Sequence, residues 1–396
     1  MIRFTVILAA LAGCYKPSVG DCAYNCSSAN TCPNDLTCDT STGICRDPAM
    51  MGTSCSEGPA DTADPLCGWA YSPQNFNPCD LVAITPAALT VSSSNGGPQQ
   101  VLDGDTGVHN GSVIPHVTSA DGKTTIFHVS TLTVANDGVS LHITGSHAII
   151  FAVEGAVHLD GDLNVNATNT NGANPSPGPG GGSCVAGDGV GANDGGGGGG
   201  FGQDGAMGGG GSGSNGGVHF TGLLVPLIGG CNGGKSGLTS ASDGNGGGGG
   251  GALQISANAA MTVTGSVEAG GAGGGGGAQG GSGGGGGGGS GGAIVLEAPS
   301  VTVNNASICA NGGGGGSGAG NGAQDGADGA CSTSPAMGGT GAGGKGGDGG
   351  TGMFNPMAGV TQAGTSGGGG GGTGRIVLIG HPMKDLGTST ISPSPE

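Results

Sequence analysis

The octapeptide Gly229-Gly230-Cys231-Asn232-Gly233-Gly234-Lys235-Ser236 satisfies the phosphate-loop pattern GxxxxGKS, directly after the apolar stretch Leu223 to Ile228. That chemistry needs a helix after the lysine, whose first amides meet a phosphate. Here Gly237 to Gly244 leads into polyglycine, which cannot hold a helix, and Pro226 interrupts the preceding strand. Gly280-Gly281-Ser282-Gly283-Gly284 matches the GxSxG of a serine nucleophile, again without the strand and helix that make it reactive. With 102 Gly among 396 residues, such matches follow from composition. His128, His142, His147 and His158 fall among alternating apolar residues, where they either stack on one face as a metal site or simply face water. Asp325, Asp328 and Asp348 invite calcium, but the tandem Gly-Gly-x-Gly-x-Asp of a calcium solenoid is not present. Cleaving a polysaccharide takes clustered carboxylates with Arg or Lys. Beyond Arg3 the chain has only Arg46 and Arg375, neither in a carboxylate-rich strand. No residue earns a catalytic role, and no cofactor or metal is expected.

The cysteines carry more information. Cys14 follows Leu11-Ala12-Gly13, and before these stand Arg3 and the apolar run Phe4 to Ala12, the layout of an export signal. The run is far below the roughly 20 residues needed to span a bilayer. Leu11 to Cys14 resemble the lipobox of bacterial lipoproteins. The resemblance implies cleavage before Cys14, acylation of its thiol and a lipid anchor in the membrane. Because Tyr15 rather than Asp follows, it also implies an outer-membrane or cell-surface location. The other twelve cysteines are Cys22, Cys26, Cys32, Cys38, Cys45, Cys55, Cys67, Cys79, Cys184, Cys231, Cys309 and Cys331. An even set fits disulfide pairing in an oxidising compartment. Zinc is the competing reading, but no CxxC pair occurs.

Composition narrows the partners. The formal charge is -18, with 8 Lys plus Arg against 26 Asp plus Glu, so no basic patch exists to neutralise phosphates. Nucleic acid is excluded as a partner on that ground. Aromatic residues make up 3%, too few for a conventional large core. An acidic, weakly aromatic exterior suits a solvated surface protein.

The elements that must position any site fall into five segments. Residues 1–13 read as the signal and 14–80 as a disulfide-rich stalk, because the stretch has too little apolar material to fold without staples. That stalk resembles the EGF-like or knottin-like repeats near the anchors of bacterial surface lipoproteins. Residues 81–170 alternate as strands, for example Thr125 to Val134. Residues 171–380 mix polyglycine with short β-like inserts, and 381–396 read as a flexible tail. The inserts repeat: Ala148-Ile149-Ile150-Phe151, Ala252-Leu253-Gln254-Ile255 and Ala293-Ile294-Val295-Leu296, each followed by two more strands, and finally Arg375 to Ile379. Gly161, Gly265 and Asn305 fall at the turns, where φ > 0 is tolerated. Three short strands per repeat predict an all-β fold: a right-handed β-helix or solenoid with polyglycine-II-like excursions, preceded by the disulfide-rich module. An ordinary sandwich of hairpins is the alternative. In Gly343 to Thr351 one non-glycine per three residues puts Lys345, Asp348 and Thr351 on one exposed edge.

Over about 171–380 the chain resembles the polyglycine-II layers of phage tail-fibre adhesins and the glycine-rich, PGRS-like lipoproteins of predatory and gliding soil bacteria. The PE head of true PE-PGRS proteins is missing. The expectation is a non-enzymatic surface lipoprotein with a structural or adhesive role toward matrix, polysaccharide or another cell. The alternative is a β-helical carbohydrate-active enzyme.

Overall fold

The computed structural model describes residues 36–39, 44–46, 48, 66–168, 176–210, 215–237, 244–278 and 282–396. The chain divides into two units, Met1–Pro65 and Leu66–Glu396. In the first, β1 (Thr37–Asp39) and β2 (Ile44–Arg46) pair antiparallel, with Cys38 opposite Cys45 in register. Cys14, Cys22, Cys26, Cys32 and Cys55 lie outside the described residues.

The second unit begins with β3 (Ala87–Val91), β4 (Gln99–Asp103), β5 (Val108–His109), β6 (Ser112–Val113), β7 (His116–Thr118) and β8 (Thr124–Val134). Then come β9 (Ser140–Thr144), β10 (Ala148–Val153), β11 (Val157–Leu159) and β12 (Asp162–Asn164). After the first glycine-rich stretch follow β13 (Ala252–Ala257), β14 (Met261–Val263), β15 (Ser266–Glu268), β16 (Ala293–Val303) and β17 (Ser307–Cys309). The last are β18 (Thr361–Gln362), β19 (Thr365–Ser366), β20 (Arg375–Asp385) and β21 (Thr390–Ser392).

Six strands, β10, β13, β16, β14, β11 and β8, pair side by side in parallel and close into a barrel. A mixed sheet runs β21-β17-β15-β12-β9-β4-β5-β6. This overturns the right-handed β-helix. The expected repeat had three separate short strands, with a tight turn between the second and the third. Instead β8 and β16 run unbroken for 11 residues and each pairs with two successive shorter strands. The first half of β8 takes β10 and its second half β11, so the ladder returns on itself.

The repeats do meet in register. Phe127, Phe151, Ile255, Leu296 and Leu378 form one row across parallel strands, and Leu141, Leu163, Val267, Ile308 and Ile391 another. Phe127 and Phe151 stack at 5.3 Å. Each such aliphatic side chain contributes about 1.5–3 kcal/mol on burial, so few aromatics suffice. β10 and β13 are buried on both faces. Their outer face is covered by the segment around Trp69, Tyr71 and Leu81 and by Phe201, Leu224 and Leu227. Tyr71 Oη donates to the carbonyls of Ala257 and Glu297, both at 3.0 Å. The Glu297 carboxylate, 1% exposed, accepts from the Gln74 amide and Ser256 Oγ, each at 3.1 Å. Burial, then the Glu297 charge, pushes the Tyr71 hydroxyl well above the usual tyrosine range.

The turn residues divide by mechanism. Asn305 has φ +52°, as its type suits. Gly161 and Gly265 serve close approach instead: a Cβ would fall on the carbonyl of Ala135 at one and of Gly161 at the other.

The glycine tracts are extended and bonded to one another. Gly285, Gly288 and Gly291 donate to the carbonyls of Ser366, Gly369 and Gly372 at 2.8–3.0 Å. Gly286 and Gly289 donate to Gly275 and Ala272, while Gly287 and Ser290 donate to Gly234 and Cys231. Every third residue thus reaches the same neighbour. In the gaps, a Cβ on Gly287, Gly288 or Gly289 would fall on the carbonyls of Gly197, Gly313 and Gly248. The tract is surrounded by backbone on six sides, which only glycine permits.

Candidate functional site

The outer face of the mixed sheet carries polar residues in two rows. Because β9, β12, β15, β17 and β21 are parallel and in register, Ser140, Asp162, Ser266, Ser307 and Thr390 line up. Two residues along, His142, Asn164 and Glu268 do the same. Alternation puts both rows outside while Leu141, Leu163 and Val267 go in. Past the strand ends, Asn166 and Thr168 extend the surface. Two cavities of about 330 and 340 Å³ share His142, Asn166 and Thr168 and so make one groove. Ser176 to Pro179 wall one part, and Gly270, Gly271 and Asp328 to Ala330 the other.

Internal hydrogen bonds hold the groove rigid. Asn166 Nδ2 donates to Glu268 Oε2 at 3.0 Å, and the Gly270 amide donates to Asn166 Oδ1 at 2.6 Å. Ser266 Oγ donates to Glu268 Oε1 at 2.8 Å. His142 Nδ1 is closely hydrogen-bonded to Asn164 Oδ1. Each Glu268 oxygen takes one of these donors and keeps lone pairs for a ligand. Burial raises the Asp162 pKa, with help from the Glu268 charge. Burial also raises Asp328, against the opposing Gly273 amide, and Asp325 adds to the rise. No Lys or Arg lines either cavity. Such a surface accepts hydrogen bonds from a row of hydroxyls and offers nothing to an anion.

The four sequence-predicted histidines are not brought together. His142 faces the groove. His128 is buried, with Nδ1 at 2.8 Å from the Ile84 carbonyl and Nε2 at 3.0 Å from Glu154. His147 Nδ1 lies 3.0 Å from Thr125 Oγ1, and His158 is exposed on β11. Among the described residues no group of three His, Cys, Asp or Glu could hold a metal ion. The aspartates of the calcium reading bind backbone: Asp328 and Asp325 accept from the Gly273 and Gly276 amides, both at 2.8 Å. Asp348 accepts from the Gly338 amide at 2.8 Å and pairs with Lys345 at 3.1 Å. Thr351, expected on the same exposed edge, is buried.

The phosphate-loop look-alike is an extended tract. Its amides from Gly229 to Gly234 donate to Gly180, Gly250, Ser290, Cys184, Gly247 and Gly197, so they are spent on the protein. No family model matches the chain, and neither a curated protein nor a solved structure does.

Cysteine pairing is visible at Cys67–Cys79, Cys184–Cys231 and Cys309–Cys331, and Cys38 is disulfide-bonded. Cys67 and Cys79 belong to the larger unit. Arg375 is buried, paired with Glu396 through Nη2, and its guanidinium lies 6.0 Å from the Phe220 ring centroid. A Ser-His-Asp grouping is not legible in the sequence, since Asp105, Ser146 and His147 carry no motif. Ser146 Oγ donates to Asp105 Oδ2 at 3.0 Å, and the Ser146 and His147 amides donate to the same carboxylate. The serine hydroxyl is thus bound to the acid and not to the imidazole, which is a capped turn rather than a nucleophile. Burial alone would raise the Asp105 pKa, but these donors together hold it below the usual value.

Proposed function

We propose that the groove of the mixed sheet binds a hydroxyl-rich polysaccharide, and that the protein is a non-enzymatic adhesin tethered at the cell surface through lipid on Cys14. The observation that carries the ligand class is the groove itself: His142, Asn164 and Glu268 along one rigid parallel ladder, with Asn166 and Asp328 lining it beyond the strands and no Lys or Arg among the described lining residues. Hydroxyls of successive sugars suit fixed amide and carboxylate acceptors. The short apolar run, Leu11 to Cys14 and the paired cysteines support export and anchoring. Among the described residues no helix is long and apolar enough to cross a membrane.

The deciding experiment is glycan-array binding by the full-length protein prepared under oxidising conditions, with a parallel screen for released oligosaccharide. Saturable binding that Glu268→Gln weakens by about tenfold, the loss of one charged hydrogen bond or so, supports the reading. Turnover would overturn the non-enzymatic part and direct attention to Asp328 and Glu268 as an acid and base pair. Binding indifferent to Glu268→Gln would remove the groove from the account.

A further inference from the structure

A further cavity, of about 480 Å³, shares no lining residue with the groove and lies among the glycine tracts. Its side chains are Gln203, Asp204, Ala206, His219, Asn355 and Pro356. The loop that builds it is locked. Phe201, buried, stacks on Phe220 at 6.1 Å, and the Phe220 amide donates to the Phe201 carbonyl at 2.7 Å. The Gly202 amide donates to Thr373 and that of Gly205 to Gly217, each at 2.8 Å. These bonds tie the cavity floor to the lattice of extended tracts, so it is preformed.

Two polar groups there have hydrogen-bonding capacity the protein does not use. Gln203 Oε1 is sealed from solvent and has no donor. An orphaned buried acceptor is rare and costs free energy that a ligand donor recovers. A turn of the terminal amide torsion, which is soft, presents its oxygen or nitrogen to an occupant. The Asp204 carboxylate takes the His219 amide at 2.7 Å and sits 2.6 Å from His219 Nδ1, both through Oδ1. Among the described residues nothing bonds its other oxygen. The His219 amide, and then its side chain, hold Asp204 below the usual carboxylate range, so it is ionised at neutral pH.

The charge pattern selects the occupant. The Asp204 carboxylate repels anions. A hard metal ion takes several oxygen ligands, and among the described residues Asp204 is the one carboxylate lining the cavity. What remains is a neutral molecule with several hydroxyl donors. Ala206 and Pro356 give the cavity an apolar wall for the C–H face of such a molecule. Carboxylate, amides and an apolar wall are together the complement of a pyranose.

We infer that this cavity is a binding site for a single neutral sugar residue, such as the end of a glycan chain. It is separate from the groove of the mixed sheet and stands or falls without it. The test is titration of the full-length oxidised protein with the methyl glycosides of glucose, galactose, mannose and N-acetylglucosamine, read by saturation-transfer NMR and calorimetry. The expected result is saturable binding of at least one glycoside. Asp204→Asn, which keeps an oxygen for the His219 amide, and Asn355→Ala, at an exposed position, should each weaken it by about tenfold. Glu268→Gln, in the groove, should leave it within about twofold. No binding by any of the four, or binding unmoved by both cavity variants, overturns the assignment. Loss with Glu268→Gln alone would place the sugar in the groove and also overturn it.

Discussion

Gly287 is a glycine because a Cβ there would fall on the carbonyl of Gly197, with five other tracts closing the remaining directions. Gly287→Ala should therefore cost about 1–3 kcal/mol, the scale of overpacking in a dense interior, read from the denaturant midpoint. Gly364 has φ +82° with open space around it, so it is a conformational glycine, and Gly364→Asn should stay within about 0.5 kcal/mol. The carboxyls respond to pH with opposite signs. Asp105 has a lowered folded pKa, so its contribution is complete above the unfolded value and is lost as pH falls through the folded one. Asp105→Asn should remove that acid-side dependence and lower stability at neutral pH. Asp328 is raised, so stability falls as pH climbs from the ordinary Asp value toward its folded value. Asp328→Asn should abolish that fall and make the protein more stable at neutral pH. Melting temperatures from acid to neutral pH separate the two.

At the scale of elements, the long strands β8 and β16 explain why repeats that read as three-strand units close into a barrel. Whether Ala298-Pro299-Ser300 in β16 forms a corner or continues the strand depends on what it pairs with. β20 runs alongside with an irregularity there and lets β16 continue. The tracts are tied to one another by disulfides. Cys184–Cys231 joins two tracts that also share a bridge at Val185 and Asn232, across a sequence separation of 47. Chain-entropy reasoning puts its contribution at about 4 kcal/mol and that of the shorter Cys309–Cys331 loop at about 3 kcal/mol. Cys184→Ser with Cys231→Ser should accordingly lower the unfolding free energy more than the Cys309→Ser with Cys331→Ser pair does. Reducing agent should erase the difference in a denaturant titration.

For the molecule as a whole, the net charge of -18 and the scarcity of Lys and Arg set what approaches it, and both proposed sites repeat that chemistry with acceptors and, among the described residues, no Lys or Arg lining them. The proposed anchor is tested in the producing cell. With the native leader retained, Cys14→Ala should shift the protein from the detergent phase to the aqueous phase and abolish incorporation of labelled fatty acid. A protein still acylated after that change would remove Cys14 from the account.

Strand content, the repeated Ile-, Val- and Leu-rich inserts and the absence of helix-forming runs are legible in the sequence, because local periodicity is carried by each residue in its own side chain. The turn at Asn305 is legible for the same reason. The groove is not. His142 and Asn164 are separated by two strands, Asn164 and Glu268 by a long glycine-rich stretch; they carry no motif and become neighbours only through parallel register. Closure of the barrel is hidden too, because pairing of one strand with two others is a property of the ladder. A long run of glycine states that backbone can lie close by. Which backbone lies there, as Gly197 does over Gly287, is decided by packing, since a residue without a side chain encodes proximity but no partner.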